Sequence, residues 1–471
     1  MRRNAMTATT TYSDSAERLD ALPVSGWHRR MTAIVGIGSF FDLYEVFLGG
    51  VLATVLAEQW GLGTTGKAMV IAAAFAGMFV GALAMSSLAD RIGRRKVFML
   101  NLASYSVLSI AAGFSPNLTV FVILRFLCGV GIGSELVLVD TYLAEFLPGR
   151  VRGRYISWAY VVGFLGVPLA ALIGARVVAK HQILGLDGWR WLLIAGGLGA
   201  VFVFAARTLL PESPRWLESR GRHAEADAIV SDIERRSGAV PAARTEQPHT
   251  QPADAPVEAR RVPLRVLLGV EYRRRTVMLA VFNVLQTVGY YGFGTLAPLV
   301  LKSKGYNVTD SLGFAALSFL GYPIGALVAV PIVERVERKF LIIVAAVLMA
   351  LFGITFGVAT NTAVIVSAGF LLTVSSNVFS NAYHVYQAEI FPTTVRSSAV
   401  GSCYSLSRLT SAVLPFIAVS ALDHFHAGGV FAGSAVIMAV LCVDIGLFGP
   451  RTTGRSLEDV NERVAEVAAV R

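Results

Sequence analysis

The sequence is poor in charged residues. Only 15% of its 471 residues are Asp, Glu, Lys or Arg, whereas 55% are hydrophobic, and the mean hydropathy is +0.61. A soluble domain has no core large enough to bury so much apolar surface. The scarcity of charge therefore favours a membrane protein.

Other features are missing as well. The three cysteines, Cys128, Cys403 and Cys442, lie inside apolar runs without metal-ligand spacing, so we expect neither a disulfide nor a metal site. No GxxxxGK phosphate loop occurs, so nothing indicates that ATP drives the protein, and we expect no cofactor. Residues 4–30 are polar and contain acids, which argues against a cleaved signal peptide.

What the sequence does contain is long apolar runs, from which we predict twelve membrane spans. They are placed at 31–57, 66–88, 97–115, 118–140, 155–179, 189–210, 276–301, 312–333, 340–359, 363–385, 398–421 and 428–449. An even number puts both termini on one side, and most of the 41 Lys and Arg residues fall on that side, which predicts that it is cytoplasmic. The net charge of +10 then reflects topology and anionic lipid, and no nucleic acid is needed to explain it.

Two motifs recur at one spacing. DRIGRR at 90–95 returns as ERVERK at 334–339, and YLAEFLPGRVR at 142–152 returns as YQAEIFPTTVR at 386–396, both displaced by 244 residues. The repeat predicts an all-α membrane protein with twelve transmembrane helices in two pseudo-symmetric six-helix halves, an architecture typical of transporters with a substrate site between the halves. We predict the following division: tail 1–30, first half 31–210, linker 211–272, second half 273–449 and tail 450–471. The linker is predicted to be helical after Pro214 and disordered over 238–263.

Several motifs resemble those of a known family. LADRIGRRK at 88–96 resembles the signature loop of the major facilitator superfamily, and RFLCGVGIG, YLAEFLPGRVRG and PESPRWL, which begin at residues 125, 142 and 211, resemble its sugar-porter and organic-ion branches. The resemblance covers about 30–449 and implies the major facilitator fold. Span seven keeps Gln286 but not the paired glutamines typical of sugar porters, whereas Glu135 and Arg408 resemble the organic-ion branch.

Two acids occupy the first span. In SFFDLYEVFLGG, Asp42 and Glu45 are three residues apart and share a helix face, although an ionised carboxylate at that depth costs at least ~2.5 kcal/mol. Burial favours the neutral form of an acid, so such a group can bind a proton on one side of the membrane and release it on the other. Their equivalents 244 residues later are Gln286 and Gly289, so the repeated fold does not require them.

These acids need a counter-charge inside the membrane. Arg125 lies eight residues into span four, and the resemblance implies that it pairs with Glu45. Glu135, further along span four, is predicted to join the same charge network. The alternative is an ion pair that only holds the spans together.

Arg408 is the candidate substrate ligand. It lies ten residues past Ser398, about 15 Å into span eleven, with no acid between Val395 and Ala421. A mid-membrane Arg needs a partner, and the resemblance implies that this partner is a substrate carboxylate. The alternative is a bond to Glu389 or to helix carbonyls. Further polar and aromatic side chains are predicted to line the same cavity, although packing alone could explain each: Gln286, Tyr290, Tyr291, Asn377, Asn381, Tyr383, His384 and Tyr404.

The two repeated loops are candidate gates. The resemblance implies that their charges pair as a latch that closes the cytoplasmic face in one conformation; the alternative is that the basic residues only anchor the loops inside. The residues are Asp90, Arg91, Arg94, Arg95, Glu145 and Arg152 in the first half, and Glu334, Arg335, Arg338, Glu389 and Arg396 in the second.

The sequence therefore predicts a proton-coupled importer of a small organic anion, such as an aromatic or aliphatic carboxylate, and not an enzyme. A sugar or polyol symporter is the alternative. A non-transporting nutrient sensor is disfavoured, because the linker is too short and too rich in proline for an output domain. We expect a monomer in the cell membrane with both termini cytoplasmic, whose partners are a small-molecule substrate, protons and membrane lipid, without nucleic acid.

Overall fold

The computed structural model describes residues 15–178, 182–238, 267–269, 272–333, 335–391 and 393–452. Within these ranges the regular structure is helical, apart from an antiparallel pair of two-residue strands, β1 (Gln182–Ile183) and β2 (Leu186–Asp187). The predicted disordered segment lies outside the described residues from 239 onward. The all-helical class predicted from the apolar runs is confirmed.

The first half supplies six membrane crossings. Four are single helices, and two are each built from a pair of helices, α5 with α6 and α7 with α8. The second of these breaks at Leu165, because Pro168 has no N–H to bond to the Phe164 carbonyl. The helices are α1 (Ser15–Ala21), α2 (Gly26–Gln59), α3 (Thr64–Ile92), α4 (Arg94–Gly113), α5 (Leu118–Ile132), α6 (Glu135–Phe146), α7 (Gly149–Phe164), α8 (Gly166–Val178) and α9 (Gly188–Arg207).

Two short helices and the second half follow. They are α10 (Pro214–Ser219), α11 (His223–Ser237), α12 (Arg273–Ser303), α13 (Val308–Phe319), α14 (Gly321–Val333), α15 (Arg338–Val358), α16 (Thr362–Glu389) and α17 (Thr393–Phe448). A 56-residue helix such as α17 would be about 84 Å long, far more than one bilayer core. The backbone of His426 is non-helical, at φ 56° and ψ −179°, and divides α17 into two crossings.

The crossings agree with twelve spans. Ten helical segments in the described ranges are long and apolar enough to cross a membrane, and one of them contains both arms of α17. The shorter apolar helix Leu118–Ile132 forms the first part of span four. Among the described residues, these elements are consistent with six crossings in each half.

The repeat is visible in the helix caps. Asn117 begins α5, and its side chain accepts a hydrogen bond from the Val120 amide at 3.0 Å. Asn361, 244 residues later, begins α16 and accepts one from the Ala363 amide at 2.9 Å. Each cap satisfies an amide that the first helical turn leaves unpaired. Span four and span ten therefore start in the same way.

The two halves meet closely along α2 and α12. A Cβ at Gly50 would collide with the Thr295 carbonyl, and one at Gly294 would collide with the Phe47 ring. Gly50 and Gly294 are equivalent positions of the repeat, as are Phe47 and Tyr291, whose rings stack at 6.4 Å. Spans one and seven therefore cross on the pseudo-two-fold axis, with glycine allowing the close approach.

Helices α1, α10 and α11 cover one end of the first half, which we name the linker face; the opposite end is the far face. Arg18 of α1 binds Asp227 and Glu234 of α11 at 2.5 and 2.8 Å. Asp20 accepts a hydrogen bond from the Gly149 amide at 2.9 Å. The segment before span one is therefore attached both to the linker helix α11 and to the first half.

Candidate functional site

Glu45 and Arg125 form a fully buried ion pair. Arg125 Nη1 donates to Glu45 Oε2 at 2.5 Å, and Nη2 donates to the Glu45 backbone carbonyl at 2.8 Å. The Ser109 hydroxyl donates to the second carboxylate oxygen at 2.5 Å. Both ionic side chains are 0% exposed, so each charge depends on the other for compensation. The structure thus brings together the two residues that the resemblance pairs.

Asp42 belongs to a different cluster. Arg207 Nη1 forms an ion pair with Glu135, and both side chains are buried. Asn101 donates to the other Glu135 oxygen at 3.2 Å. Asp42 lies beside this pair and the Tyr105 ring, and it is also 0% exposed. The first half therefore contains two separate groups of buried charge, one around each acid of α2.

Sequence reasoning missed Arg207. Its position at the end of span six makes it look like one more basic residue that sets the orientation of the helix. In the structure its guanidinium turns inward, lies over the Phe98 ring at 4.4 Å and packs against Gly38 of α2. The signal that the sequence offered was indirect: Glu135 lies inside a span and needs a cation as its partner, and no residue had been assigned to that role.

Arg408 is a buried residue of α17 in the second half. Its Nη1 donates to the Tyr291 hydroxyl at 2.7 Å, and its Nη2 donates to the Tyr404 hydroxyl at 2.8 Å. The guanidinium also lies 5.0 Å from the Tyr404 ring centre. Among the described residues no carboxylate forms an ion pair with it, and Glu389 instead binds Arg338. Arg408 is therefore a buried cation whose partners are neutral phenols.

Other predicted cavity residues surround this cation. His384 is exposed, and its ring centre is 5.9 Å from that of Tyr404. Tyr290 packs edge-on against Tyr291, with their ring centres 4.7 Å apart. The Tyr291 ring also contacts the ring of Phe75 in the first half, with 5.3 Å between the ring centres. The Arg408 site therefore borders the interface between the halves.

Three further predicted cavity residues, Asn377, Asn381 and Gln286, lie within the second half. Asn381 donates to the Asn377 side-chain oxygen at 2.7 Å, and the Asn377 amide nitrogen has no hydrogen-bond partner among the described residues. Gln286 is buried in α12. All three lie on α12 or α16, the helices that also carry Tyr291 and His384.

The Tyr383 hydroxyl is bonded within the core of the second half. It donates to Asn283 at 2.5 Å, and the Tyr383 ring stacks on Phe282 at 4.7 Å. Both Tyr383 and His384 are predicted from the sequence to line the cavity, and successive residues on a helix point about 100° apart. Of the two, His384 is exposed and Tyr383 is buried, and their ring centres lie 5.2 Å apart.

Both predicted gate loops contain the same ion pair. Arg94 Nε lies 3.6 Å from Glu145, and Arg338 Nε lies 3.1 Å from Glu389, with both partners displaced by 244 residues. Each pair joins the end of one span to the end of another on the linker face. The repeat therefore preserves an ionic contact as well as a sequence motif.

The remaining gate residues have other surroundings. Arg91 and Arg335 are exposed. The Arg95 amide donates to Glu212 of the PESPRWL motif at 3.1 Å, and Arg152 lies 3.4 Å from Asp20 of α1. Three predicted contributions lie outside what the structure describes: the side chains of Asp90 and Arg396 and the whole of Glu334.

Ion pairs also join the halves at the far face, which the sequence analysis did not anticipate. Lys302 at the end of α12 binds Glu58 at the end of α2 at 2.5 Å. Asp423 lies 3.9 Å from Lys67 and accepts a hydrogen bond from the Thr64 hydroxyl. In this conformation the two halves are therefore tied together on that side.

Two repeated six-span halves, with buried charges on either side of their interface, define a secondary membrane transporter. The chain belongs to the family described as "Sugar (and other) transporter", which matches residues 28–464, within the major facilitator superfamily. It is 35% identical to the putative metabolite transport protein YyaJ of Bacillus subtilis, over 95% of this chain and 98% of that one. It is 29% identical to the niacin transporter NiaP of Acinetobacter baylyi, over 95% and 99%.

The fold is similar to that of a solved transporter. The structure described as a partially occluded inward-open conformation of the xylose transporter XylE from E. coli superposes with a TM-score of 0.73. It covers 92% of this chain and 100% of that one, at 19% identity, so the likeness concerns the fold. The major facilitator fold that the motif resemblance implies is confirmed.

Proposed function

We propose that this transporter imports a small aromatic carboxylate together with a proton. The single observation that carries the proposal is Arg408, a buried cation bonded only to the Tyr291 and Tyr404 hydroxyls among the described residues. A buried charge without a counter-charge is costly, and a substrate carboxylate would supply one. The relative named as a niacin transporter supports this chemistry, because niacin is a pyridine carboxylic acid.

The two phenols make the site suitable for a carboxylate. Each hydroxyl accepts a hydrogen bond from the guanidinium, and each also has one O–H group that can donate to an acceptor. A carboxylate beside Arg408 would therefore meet one cation and two hydroxyl donors. The rings of Tyr290 and Tyr291 offer apolar and edge surfaces to an aromatic substrate.

Proton coupling follows from the charge of such a substrate. An anion entering a cell with a negative interior is opposed by about 2.3 kcal/mol per 100 mV. Movement of one proton with one carboxylate carries no net charge and uses the proton gradient. The buried acids Asp42 and Glu45 of α2 are the candidate proton carriers. The equivalent positions of the second half carry no acid, so the repeated fold does not require them.

The gates fit alternating access. The Glu58–Lys302 pair holds the far face together, and the Arg94–Glu145 and Arg338–Glu389 pairs lie on the linker face. We propose that the linker face is cytoplasmic, because most Lys and Arg residues lie there, and that the protein resides in the plasma membrane. Rocking of the halves about the Arg408 site would expose it to each side in turn.

Uptake into proteoliposomes tests the proposal. Radiolabelled nicotinate, its uncharged amide nicotinamide and xylose are compared with and without an inward proton gradient. We expect proton-driven accumulation of nicotinate alone. Accumulation of xylose in its place would support the sugar-symporter alternative, which the family description and the XylE fold make the natural competitor.

Arg408 variants locate the selectivity. Arg408→Ala should weaken apparent nicotinate affinity roughly ten- to a hundred-fold, because a charge-assisted hydrogen bond contributes about 1.5–3 kcal/mol. Arg408→Lys should retain part of the affinity, since it keeps the charge but not the two-pronged geometry. Residual nicotinamide binding, measured in parallel, should not change. Equal weakening of both compounds would show that Arg408 is structural.

A further inference from the structure

The two acids of α2 differ in how completely they are bonded. Both Glu45 oxygens accept hydrogen bonds, from Arg125 and from Ser109, and the pair carries no net charge. Neither oxygen of Asp42 forms a well-aligned hydrogen bond with a described residue, although the side chain is fully buried and interacts with the Tyr105 hydroxyl. The acid three residues earlier is therefore the one left unsatisfied.

Unused donors lie in the same cluster. Arg207 bonds Glu135 through Nη1, while its Nε and Nη2 have no hydrogen-bond partner among the described residues. Gly38, one helical turn before Asp42, gives the guanidinium room against α2, and a Cβ there would collide with Nη2. The space between α2, α6 and α9 thus holds free donors on Arg207 and free acceptors on Asp42.

Charge counting separates the two clusters. Glu45 with Arg125 is neutral when both are ionised, so a proton on Glu45 leaves a buried cation. Asp42, Glu135 and Arg207 together carry one excess negative charge when all three are ionised, so one proton makes the cluster neutral. Low-dielectric surroundings favour the neutral state in each case. Only the Asp42 cluster gains by binding a proton.

We propose that Asp42 is the residue that takes up and releases the coupling proton, with Glu135 and Arg207 as its positioning pair. This inference rests on the proposed function. A proton from water adds to an Asp42 oxygen, and Arg207 then binds Glu135 alone, as in this structure. When the proton leaves to water on the other side, Asp42 regains its charge and attracts the free Arg207 donors, Nε and Nη2.

The step couples protonation to helix packing. Asp42 belongs to span one, Glu135 to span four and Arg207 to span six, so a shift of Arg207 between the two acids changes the contact of three spans. The titratable and charged groups that face Asp42 are Glu135, Arg207, Tyr105 of α4 and Glu45 of its own helix. Tyr105 and Asn101 retain unbonded oxygens that can contact the acid or a water molecule.

Infrared spectroscopy tests this assignment without a substrate. Purified protein is titrated, and the carbonyl stretch of a protonated buried carboxyl group is followed. We expect this band in the native protein, its loss in Asp42→Asn, and its persistence in the charge-balanced control Glu45→Gln/Arg125→Gln. A titrating band that survives Asp42→Asn and disappears in the control would overturn the proposal, and so would the absence of any such band.

Transport of nicotinate provides the second test. Asp42→Asn should exchange nicotinate across the membrane but no longer concentrate it under a proton gradient, and its exchange rate should lose its dependence on pH. Asp42→Glu should restore some coupling because it keeps a titratable group. If Asp42→Asn still concentrates nicotinate while the charge-balanced control does not, Glu45 is the carrier and the inference is wrong.

The two levels of proposal fail differently. If the native protein transports no nicotinate, the proposed function is wrong, and the infrared band still decides the state of Asp42. If the native protein is coupled and Asp42→Asn is equally coupled, the function stands and the assignment to Asp42 falls. A misfolded Asp42→Asn protein is recognised by its loss of exchange, and Asp42→Glu with the infrared titration then decides.

Discussion

The two halves share a fold but not their buried charges. In the first half Glu45 binds Arg125 and Glu135 binds Arg207. The positions of Asp42, Glu45, Arg125 and Glu135 are occupied in the second half by neutral residues: Gln286, Gly289, Gly369 and Phe379. Conversely, Arg408 of the second half corresponds to Phe164 in the first.

This difference separates architecture from function. The ionic pairs present in both copies, Arg94–Glu145 and Arg338–Glu389, belong to what the fold repeats. The charges present in only one copy are not needed to build six packed spans, because the other copy packs without them. We therefore expect proton handling to depend on the first half and anion recognition on the second.

The largest expected effect is on stability, and it comes from neutralising one member of a buried ion pair in the first half. Glu45→Gln leaves Arg125 buried without a counter-charge, which should destabilise the protein by about 3–5 kcal/mol. The double change Glu45→Gln/Arg125→Gln removes both charges, as in the second half, and should recover much of that loss. Thermal unfolding of the detergent-solubilised protein measures both. Equal destabilisation by the single and double variants would contradict the comparison.

The next effect belongs to the anion site of the second half. Tyr291→Phe and Tyr404→Phe each remove a hydroxyl that binds Arg408, and each should weaken nicotinate affinity about two- to tenfold, since a hydrogen bond contributes about 0.5–1.5 kcal/mol. Tyr383→Phe is the matched control, because its hydroxyl binds Asn283 in the core. The measurement is competition between nicotinate and nicotinamide. If Tyr383→Phe has the same effect, the site has been placed wrongly.

A smaller and symmetric effect is expected on the linker face. Glu145→Gln and Glu389→Gln each weaken the equivalent Arg contact, worth up to about 1 kcal/mol, and should slow turnover about two- to fivefold without changing the KM for nicotinate. Initial rates in proteoliposomes give both quantities. A large effect in only one half would show that the repeated pair has diverged in role.

The smallest effect is expected on the far face. The Glu58 side chain is 65% exposed, so its pair with Lys302 should contribute only about 0.2–1 kcal/mol. Glu58→Gln should change the nicotinate exchange rate less than about fivefold, and more at low salt than at high salt. The charge swap Glu58→Lys/Lys302→Glu should restore the native rate. Failure of the swap would assign the pair no part in closing this face.

Sequence reasoning reached the parts of the molecule that depend on periodicity and repetition. The offset of 244 residues identifies the two gate loops as equivalent, although the pairing of their charges is implied only by the family resemblance. An Arg without an acid in its own span identifies Arg408 as a cation in need of a partner. Such inferences require only helix geometry and the cost of charge in a membrane. They do not depend on how the spans are arranged around one another.

The parts that sequence reasoning could not reach depend on that arrangement. Arg207 stands where basic residues normally orient a helix, and only packing against Gly38 turns it inward to Glu135. Tyr383 has the polar aromatic side chain and the depth in its span that are typical of a cavity residue, but its hydroxyl binds Asn283. A helical period defines the face of a residue, whereas its partner depends on which neighbouring helix covers that face.

The Glu58–Lys302 contact has a consequence for the origin of the molecule. Its two residues are the same position of the repeat, 244 residues apart, and they touch because both lie on the pseudo-two-fold axis, as Phe47 and Tyr291 do. In an ancestor assembled from two identical copies, this position would have faced itself, and two like charges would have repelled each other across the axis. Opposite charges became possible only after the duplication, when the two copies could change separately. The pair therefore records a substitution later than the duplication, on the one line where identical halves could never have formed an ion pair.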